Sequence, residues 1–101
     1  MQANEFVAYV GDPDIHDAHV RNVSRAGDQV EVELESINGR RFNVVFTGTR
    51  NLVSHDAKGM LLYSLSEMRS DLPYRKFVFT NSDERSSSRL EVEAQHMSVS
   101  D

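Results

Sequence analysis

The feature that most constrains the fold is a pair of alternating segments joined by a glycine turn. Over residues 30–35, valine and leucine alternate with glutamate, and over residues 41–46 phenylalanine and valine alternate with polar side chains. Strict alternation is typical of a strand with one buried face, because successive side chains of a strand point to opposite sides. The sequence therefore predicts a β-hairpin with one apolar and one charged face.

The same alternation selects the loop of this hairpin. A two-residue loop at Asn38-Gly39 would place Glu35 opposite Phe42 and mix the charged row with the apolar row. A three-residue loop that ends with the glycine in the left-handed conformation pairs Leu34 with Phe42 and Glu35 with Arg41. The second register keeps apolar residues together, so we predict the three-residue loop.

Two further segments have the strand pattern. Residues 74–80 and 90–94 alternate in the same way and predict a second hairpin, with a long polar loop over residues 81–88. Residues 18–26 predict a first strand that turns at Gly27-Asp28. In that strand Val20 and Val23 are out of phase, which indicates either a bulge between them or one exposed valine.

Other segments predict helices or irregular ends. Residues 60–69 are the best helix candidate because Leu61, Leu62, Leu65 and Met68 fall on one stripe, while Leu61, Tyr63 and Leu65 would suit a strand.

Residues 3–10 are too short for periodicity to decide, and we favour a short helix there over an edge strand. Asp12-Pro13 predicts a turn or a one-turn helix. Asp56 is expected to cap a following helix, and residues 97–101 are expected to be a frayed tail.

Together these elements predict an α+β fold. We expect one domain over residues 1–101, with a single antiparallel sheet of about five strands and one or two short helices on its apolar face. The alternative is a mainly β, barrel-like domain.

Composition limits the function and the location of the protein. The chain has no cysteine and a formal net charge of −5, which excludes thiolate metal sites and disfavours binding to nucleic acid. No segment has the roughly 20 apolar residues of a membrane span, and residues 1–5 lack the basic start of a signal peptide. We therefore expect a cytoplasmic protein that contacts no membrane.

The densest group of chemically active side chains is His16, Asp17 and His19. On a helical turn the two histidines would share a face and bind a divalent ion, whereas in a strand they would point apart. The chain has no motif for a nucleophile, a zinc-bound water or a phosphate loop. We predict no enzyme activity, no cofactor and no bound metal, and keep a metal- or ligand-binding domain that uses His16, Asp17 and His19 as the alternative.

Charged residues next to the hairpin suggest a binding surface. Glu31, Glu33 and Glu35 form an acidic row, and Arg40 and Arg41 supply the opposite charge at the turn. Such rows are most often solvated sheet faces, and the functional interpretation is docking of a protein partner or of a second copy of the chain.

One resemblance bears on this interpretation. A His16-Asp17 pair that leads into a strand meander ending in Phe46-Thr47-Gly48 resembles small bacterial domains of the immunity-protein kind. The similarity covers residues 14–48 and, more weakly, 74–94. It implies binding to another protein, typically a toxin domain, without catalysis, and of that family's residues it transfers only His16 and Asp17. We therefore predict a non-enzymatic protein-interaction module of the immunity-like kind.

Overall fold

The computed structural model describes residues 6–83 and 85–101, and these form two antiparallel sheets that share one hydrophobic core. The strands are β1 (Phe6–Tyr9), β2 (His19–Ala26), β3 (Gln29–Glu35), β4 (Arg41–Thr47), β5 (Asn51–His55), β6 (Leu62–Met68), β7 (Arg75–Asn81), β8 (Arg89–Ala94) and β9 (His96–Ser100). A single 3-10 turn, Pro13–Ile15, follows β1.

One sheet has five strands in the order β1-β6-β7-β8-β5, and the other has four in the order β2-β3-β4-β9. Most core residues come from β3, β4, β6, β7 and β8, whose alternate apolar residues face inward, so the inner faces of the two sheets together fill the core. Phe46 of β4 crosses between the sheets, and its ring centroid lies 5.1 Å from that of Phe77 and 6.0 Å from that of Phe79.

The chain changes sheet three times, between β1 and β2, β4 and β5, and β8 and β9, and the last two changes use short connections. Gly48 follows β4 and leads to β5 in the five-stranded sheet, while Gln95 alone separates β8 from β9. The backbone amide of Gln95 donates to the carbonyls of Thr47 and Gly48 at 3.1 and 3.2 Å. These last two crossings are therefore bonded to each other, and they join the sheets at one corner.

The first hairpin has the predicted register, which confirms the three-residue loop. Leu34 lies opposite Phe42 and Glu35 opposite Arg41, and Gly39 has a φ of +89°. The Gly39 amide donates to the carbonyl of Ser36 at 2.9 Å, which closes the turn.

We expect Gly39→Val to destabilise the protein by more than about 1 kcal/mol, because a β-branched residue resists a positive φ. An added side chain at Gly39 would meet no other atom within 4 Å, so backbone strain is the only cost. The measurement is chemical denaturation, with Ile37→Val in the same loop as the control. A loss no larger than that of the control would contradict the assigned conformation.

Three strands contain a bulge or register shift near their first residues, and in β1 it lies between Phe6 and Ala8. The register of β2 shifts between Val20 and Asn22, and that of β6 shifts between Leu62 and Ser64. The extra residue lets Val20 and Val23 both face the core, so the bulge predicted there is confirmed.

The α+β prediction is wrong, since the described residues hold no α-helix and nearly all of the regular structure is strand in two sheets. Residues 62–68 form the strand β6 instead of a helix. The pattern looked helical because the bulge of β6 places Leu62 and Leu65, three residues apart, on the same face. The competing strand interpretation placed Leu61, Tyr63 and Leu65 on one face. Leu61 and Tyr63 are exposed in the structure, and only Leu65 of the three lies in the core.

Three smaller predictions also need correction. Residues 6–9 form the edge strand β1 instead of a helix, and residues 3–5 lie outside the described residues. Asp56 has a positive φ of 49° and precedes a turn, with no helix to cap. The frayed tail expected over residues 97–101 is wrong for residues 97–100, because residues 96–100 form β9 and pair with residues 43–47 of β4.

Candidate functional site

The structure brings the five residues singled out from the sequence to one end of the molecule. His19 begins β2 opposite Glu35, and Glu35 in turn lies opposite Arg41. Arg40 reaches from the hairpin to the 3-10 turn, and His16 and Asp17 follow directly after that turn. The sheet register and one long arginine side chain thus assemble this end.

Arg40 is the centre of an ionic network. Its guanidinium donates to Asp12 at 2.9 Å and to Asp14 at 3.1 Å, and it also binds Asp101 at 2.5 Å. The guanidinium lies over the Phe42 ring, 4.6 Å from its centre. The face of an aromatic ring attracts a cation, so this contact is favourable. Arg40 therefore joins the hairpin, the 3-10 turn and Asp101, which follows β9.

Asp12 of this network, and Glu67 and Glu93 of the five-stranded sheet, are held in the charged form. The Asp14 backbone amide, and after it the Arg40 guanidinium, hold the pKa of Asp12 below its usual value. Arg50 does the same for the pKa of Glu93 and Arg75 for that of Glu67. These ion pairs stabilise the folded state only while the acids are ionised.

We expect the free energy of unfolding to decrease as the pH falls below about 4.5. A group with a lowered pKa in the folded state stabilises it above the unfolded pKa and loses this effect as the pH falls through the folded pKa. Denaturation curves between pH 7 and pH 3 measure the slope. In Arg40→Gln the acid-dependent loss should be smaller, because Asp12 loses one of its two hydrogen-bond donors. Superimposable slopes for the two proteins would contradict this contribution of Arg40.

Arg41 differs from Arg40 in being more exposed. Its guanidinium lies 3.2 Å from Glu33 and 3.4 Å from Glu35 on the outer face of the four-stranded sheet. Exposed pairs of this kind contribute little to stability. Arg41 thus neutralises part of the acidic row, while Glu31 at the other end of the row has no ion pair with any described residue.

The histidine cluster does not form a group of three metal ligands. The Nδ1 atom of His16 lies 2.9 Å from the carbonyl oxygen of Tyr63, and its Nε2 atom lies 3.6 Å from Asp17. Within residues 6–83 and 85–101, no three His, Cys, Asp or Glu side chains are placed to hold an ion. That the protein binds no metal stays a prediction, which melting curves with and without zinc would test.

Next to His16 lies a hollow of about 220 Å³, which we call the aromatic hollow. The residues with ring side chains that line it are Tyr9, Pro13, His16 and Tyr63. Tyr9 is 66% exposed and Tyr63 is 52% exposed. The ring of His16 meets that of Tyr63 edge to face at 5.4 Å, and Phe6 meets Tyr9 in the same way at 4.9 Å. These contacts form two aromatic pairs, and one ring of the second pair, Tyr9, lines the same hollow as both rings of the first.

The aromatic hollow was not found from the sequence, although one signal was present. Tyr63 falls in the bulge of β6, so it points outward while Leu62 and Leu65 on either side point into the core. The distant Tyr9 joins it only because β1 pairs with β6. A large aromatic residue out of phase with two buried leucines was the available indication.

Comparisons of the chain with protein-family models, with curated proteins and with solved structures find no match. In the part of the chain that the structure describes, no helix has the length and apolar character needed to cross a membrane.

Proposed function

We propose that this protein is a non-enzymatic, cytoplasmic interaction module that binds another protein through the aromatic hollow. The observation that carries the proposal is that two exposed tyrosines and His16 line one hollow, with the exposed ring of Phe6 packed against Tyr9. A soluble domain gains no stability from such exposure, and tyrosine is enriched where proteins bind one another.

Tyrosines suit this role because each combines a large apolar ring with a polar hydroxyl. Few exposed residues contribute most of the binding energy in protein complexes, and Trp, Tyr and Arg are the most frequent among them. Tyr9 and Tyr63 sit on two paired strands, β1 and β6, and line the same hollow. A partner side chain could therefore enter between rings that the sheet already holds in position.

The charge of the surroundings favours a basic partner. The chain has a net charge of −5, and the Asp17 side chain, 44% exposed, lies beside His16 at the rim. A lysine or arginine of the partner would contact both the Asp17 carboxylate and the faces of the tyrosine rings, and both contacts favour a cation. A toxin domain with a basic surface is the partner expected if the immunity-like resemblance holds.

The metal- or ligand-binding alternative has no observation in its favour. Its residues are engaged elsewhere: His16 contacts the Tyr63 carbonyl, and His19 begins a paired strand. We therefore propose protein binding alone.

The test uses crosslinking from a defined position, followed by binding of the purified partner. A photoreactive amino acid is placed at Tyr63 and, as a control, at Ile37, which is 79% exposed in the loop of the first hairpin and does not line the hollow. We expect one protein to be captured from position 63 and not from position 37. With that protein purified, Tyr63→Ala and Tyr9→Ala should each weaken binding on the order of ten-fold or more.

Two further results decide the matter. Affinity should fall as salt increases, since an acidic rim that meets a basic partner is screened by ions. Unchanged affinity in both tyrosine variants, with their melting temperatures preserved, would overturn the proposed site. Capture from position 37 in preference to position 63 would do the same.

A further inference from the structure

The two sheets are related by an internal two-fold pseudosymmetry that the sequence does not reveal. β2-β3-β4-β5 corresponds to β6-β7-β8-β9, since each unit is a three-strand meander followed by a strand that crosses to the other sheet. β5 pairs with β8, the last meander strand of the second unit, and β9 pairs with β4, that of the first.

The backbone hydrogen bonds obey this symmetry residue by residue. Where the units meet, the Val20 amide donates to Met60 at 2.9 Å and the Leu62 amide donates to Ala18 at 2.8 Å. If Val20 is equivalent to Leu62 and Ala18 is equivalent to Met60, each of these two hydrogen bonds is the counterpart of the other. The bridge between residues 19 and 61 lies on the axis.

The bulges and the strand registers follow the same correspondence. Each first strand is bulged at the same point, after Val20 in β2 and after Leu62 in β6. Val23 lies opposite Val32 as Leu65 lies opposite Phe79. The equivalence therefore extends through the sheets and gives each β2 residue from Val20 to Ala26 a counterpart in β6.

One element breaks the symmetry. β1 pairs with β6 as a fifth strand, but no described strand occupies the equivalent place beside β2. The consequence is visible in burial: Leu65 and Ser66 of β6 are buried, whereas their counterparts Val23 and Ser24 are half-buried and exposed. Among the described residues, β2 is thus an edge strand and lacks the neighbour that β1 provides for β6 in the other sheet.

The vacant edge is open to pairing despite its bulge. β1 pairs with β6 beyond the bulge, from Ser66 to Met68, and the counterpart stretch on β2 is residues 24–26. The Val10 amide donates to the Leu65 carbonyl at 3.0 Å, so the carbonyl of Val23 is the equivalent acceptor. A bulge and edge arginines often protect an edge strand from self-association. Here the bulge lies outside the stretch in question.

The side chains of this edge are cationic. β2 carries Arg21 and Arg25 and no acidic residue. Arg21 lies 3.3 Å from Glu35, whereas the guanidinium of Arg25 donates to the Gly27 carbonyl and has no carboxylate among the described residues. An added strand with an acidic residue opposite Arg25 would give this cation a partner, and cross-strand pairs of opposite charge are favourable.

We propose that the free edge of β2 accepts an extended acidic segment of another protein as an added antiparallel strand, placed against residues 23–26 as β1 is placed against β6. The backbone supplies the hydrogen bonds of such strand addition, and the side chains supply the selectivity. This site lies on the four-stranded sheet and is separate from the aromatic hollow.

The probe is a synthetic peptide with a sequence based on β1. Residues 6–11 with glutamate in place of Ala8 set that glutamate opposite Arg25, because Ala8 lies opposite Glu67, the counterpart of Arg25. The matched control peptide has lysine at this position. Both are titrated at millimolar concentration into isotopically labelled full-length protein, and the backbone amide signals are followed by NMR.

We expect the acidic peptide to shift and protect from exchange the amides of residues 23–26, and to bind at least ten-fold more tightly than the lysine peptide. Arg25→Glu should reverse this preference. Arg25→Pro should abolish binding and leave capture at the aromatic hollow intact, which separates this proposal from the previous one. Proline is tolerated on the open side of an edge strand.

Three outcomes would overturn the proposal. One is the absence of shifts in β2 with both peptides, and another is a set of shifts centred on β6, which would mean displacement of β1. The third is a concentration-dependent dimer of the free protein that buries residues 23–26, since a second copy of the chain would then be the occupant.

Discussion

Phe46→Ala and Phe42→Ala are each expected to lower the free energy of unfolding by about 3–5 kcal/mol, as for large aromatic residues removed from a packed core. Both rings are almost fully buried, at 0% and 1% exposure. The loss at position 46 should be the larger of the two, because this ring contacts two phenylalanines of the opposite sheet. Urea denaturation followed by fluorescence or circular dichroism measures both values.

Asn43→Ala is the matched control for these variants. Asn43 lies between the two phenylalanines in β4 but points to the outer face, so its truncation is expected to change stability by less than about 1 kcal/mol. Equal and small effects of all three substitutions would mean that β4 does not face the core as assigned.

The hairpin was predictable because two independent constraints agree on it. Alternation specifies which face of each strand is buried, and a one-residue slip would move every side chain to the wrong face. The glycine at position 39 then selects the only loop that keeps this alternation in register. Local pattern and long-range packing gave the same answer in this segment.

The strands that were missed lack such agreement. β1 has four residues, too few to show a period, and β9 follows β8 after one residue without any turn signal. Both are fixed by hydrogen bonds to strands far away in the sequence, which a local pattern cannot show. The division into two sheets follows from these same distant pairings.

The candidate sites were only partly visible for the same reason. Arg40 was singled out by its charge, but its network with Asp12 and Asp101 depends on the positions of both chain ends. The aromatic hollow needs β1 against β6, and the open edge of β2 is apparent only once the pseudosymmetry is known. Each site belongs to the topology more than to any one segment.

β6 offers the sharpest test of how a bulge misleads sequence analysis. Leu62 and Leu65 are three residues apart and both buried, a spacing that indicates a helix, yet the extra residue of the bulge produces it in a strand. Leu62→Ala is expected to cost about 2–5 kcal/mol of unfolding free energy, since its side chain is fully buried.

The neighbouring Leu61→Ala provides the control, because Leu61 is 37% exposed and should lose less than about 1.5 kcal/mol. A helix over residues 60–69 would bury both leucines on one stripe and give two similar losses. In the bulged strand, by contrast, Leu62 is buried and its neighbour Leu61 is partly exposed, so the two substitutions should cost different amounts of unfolding free energy. Chemical denaturation of the two variants side by side measures this difference, and equal values would restore the helix.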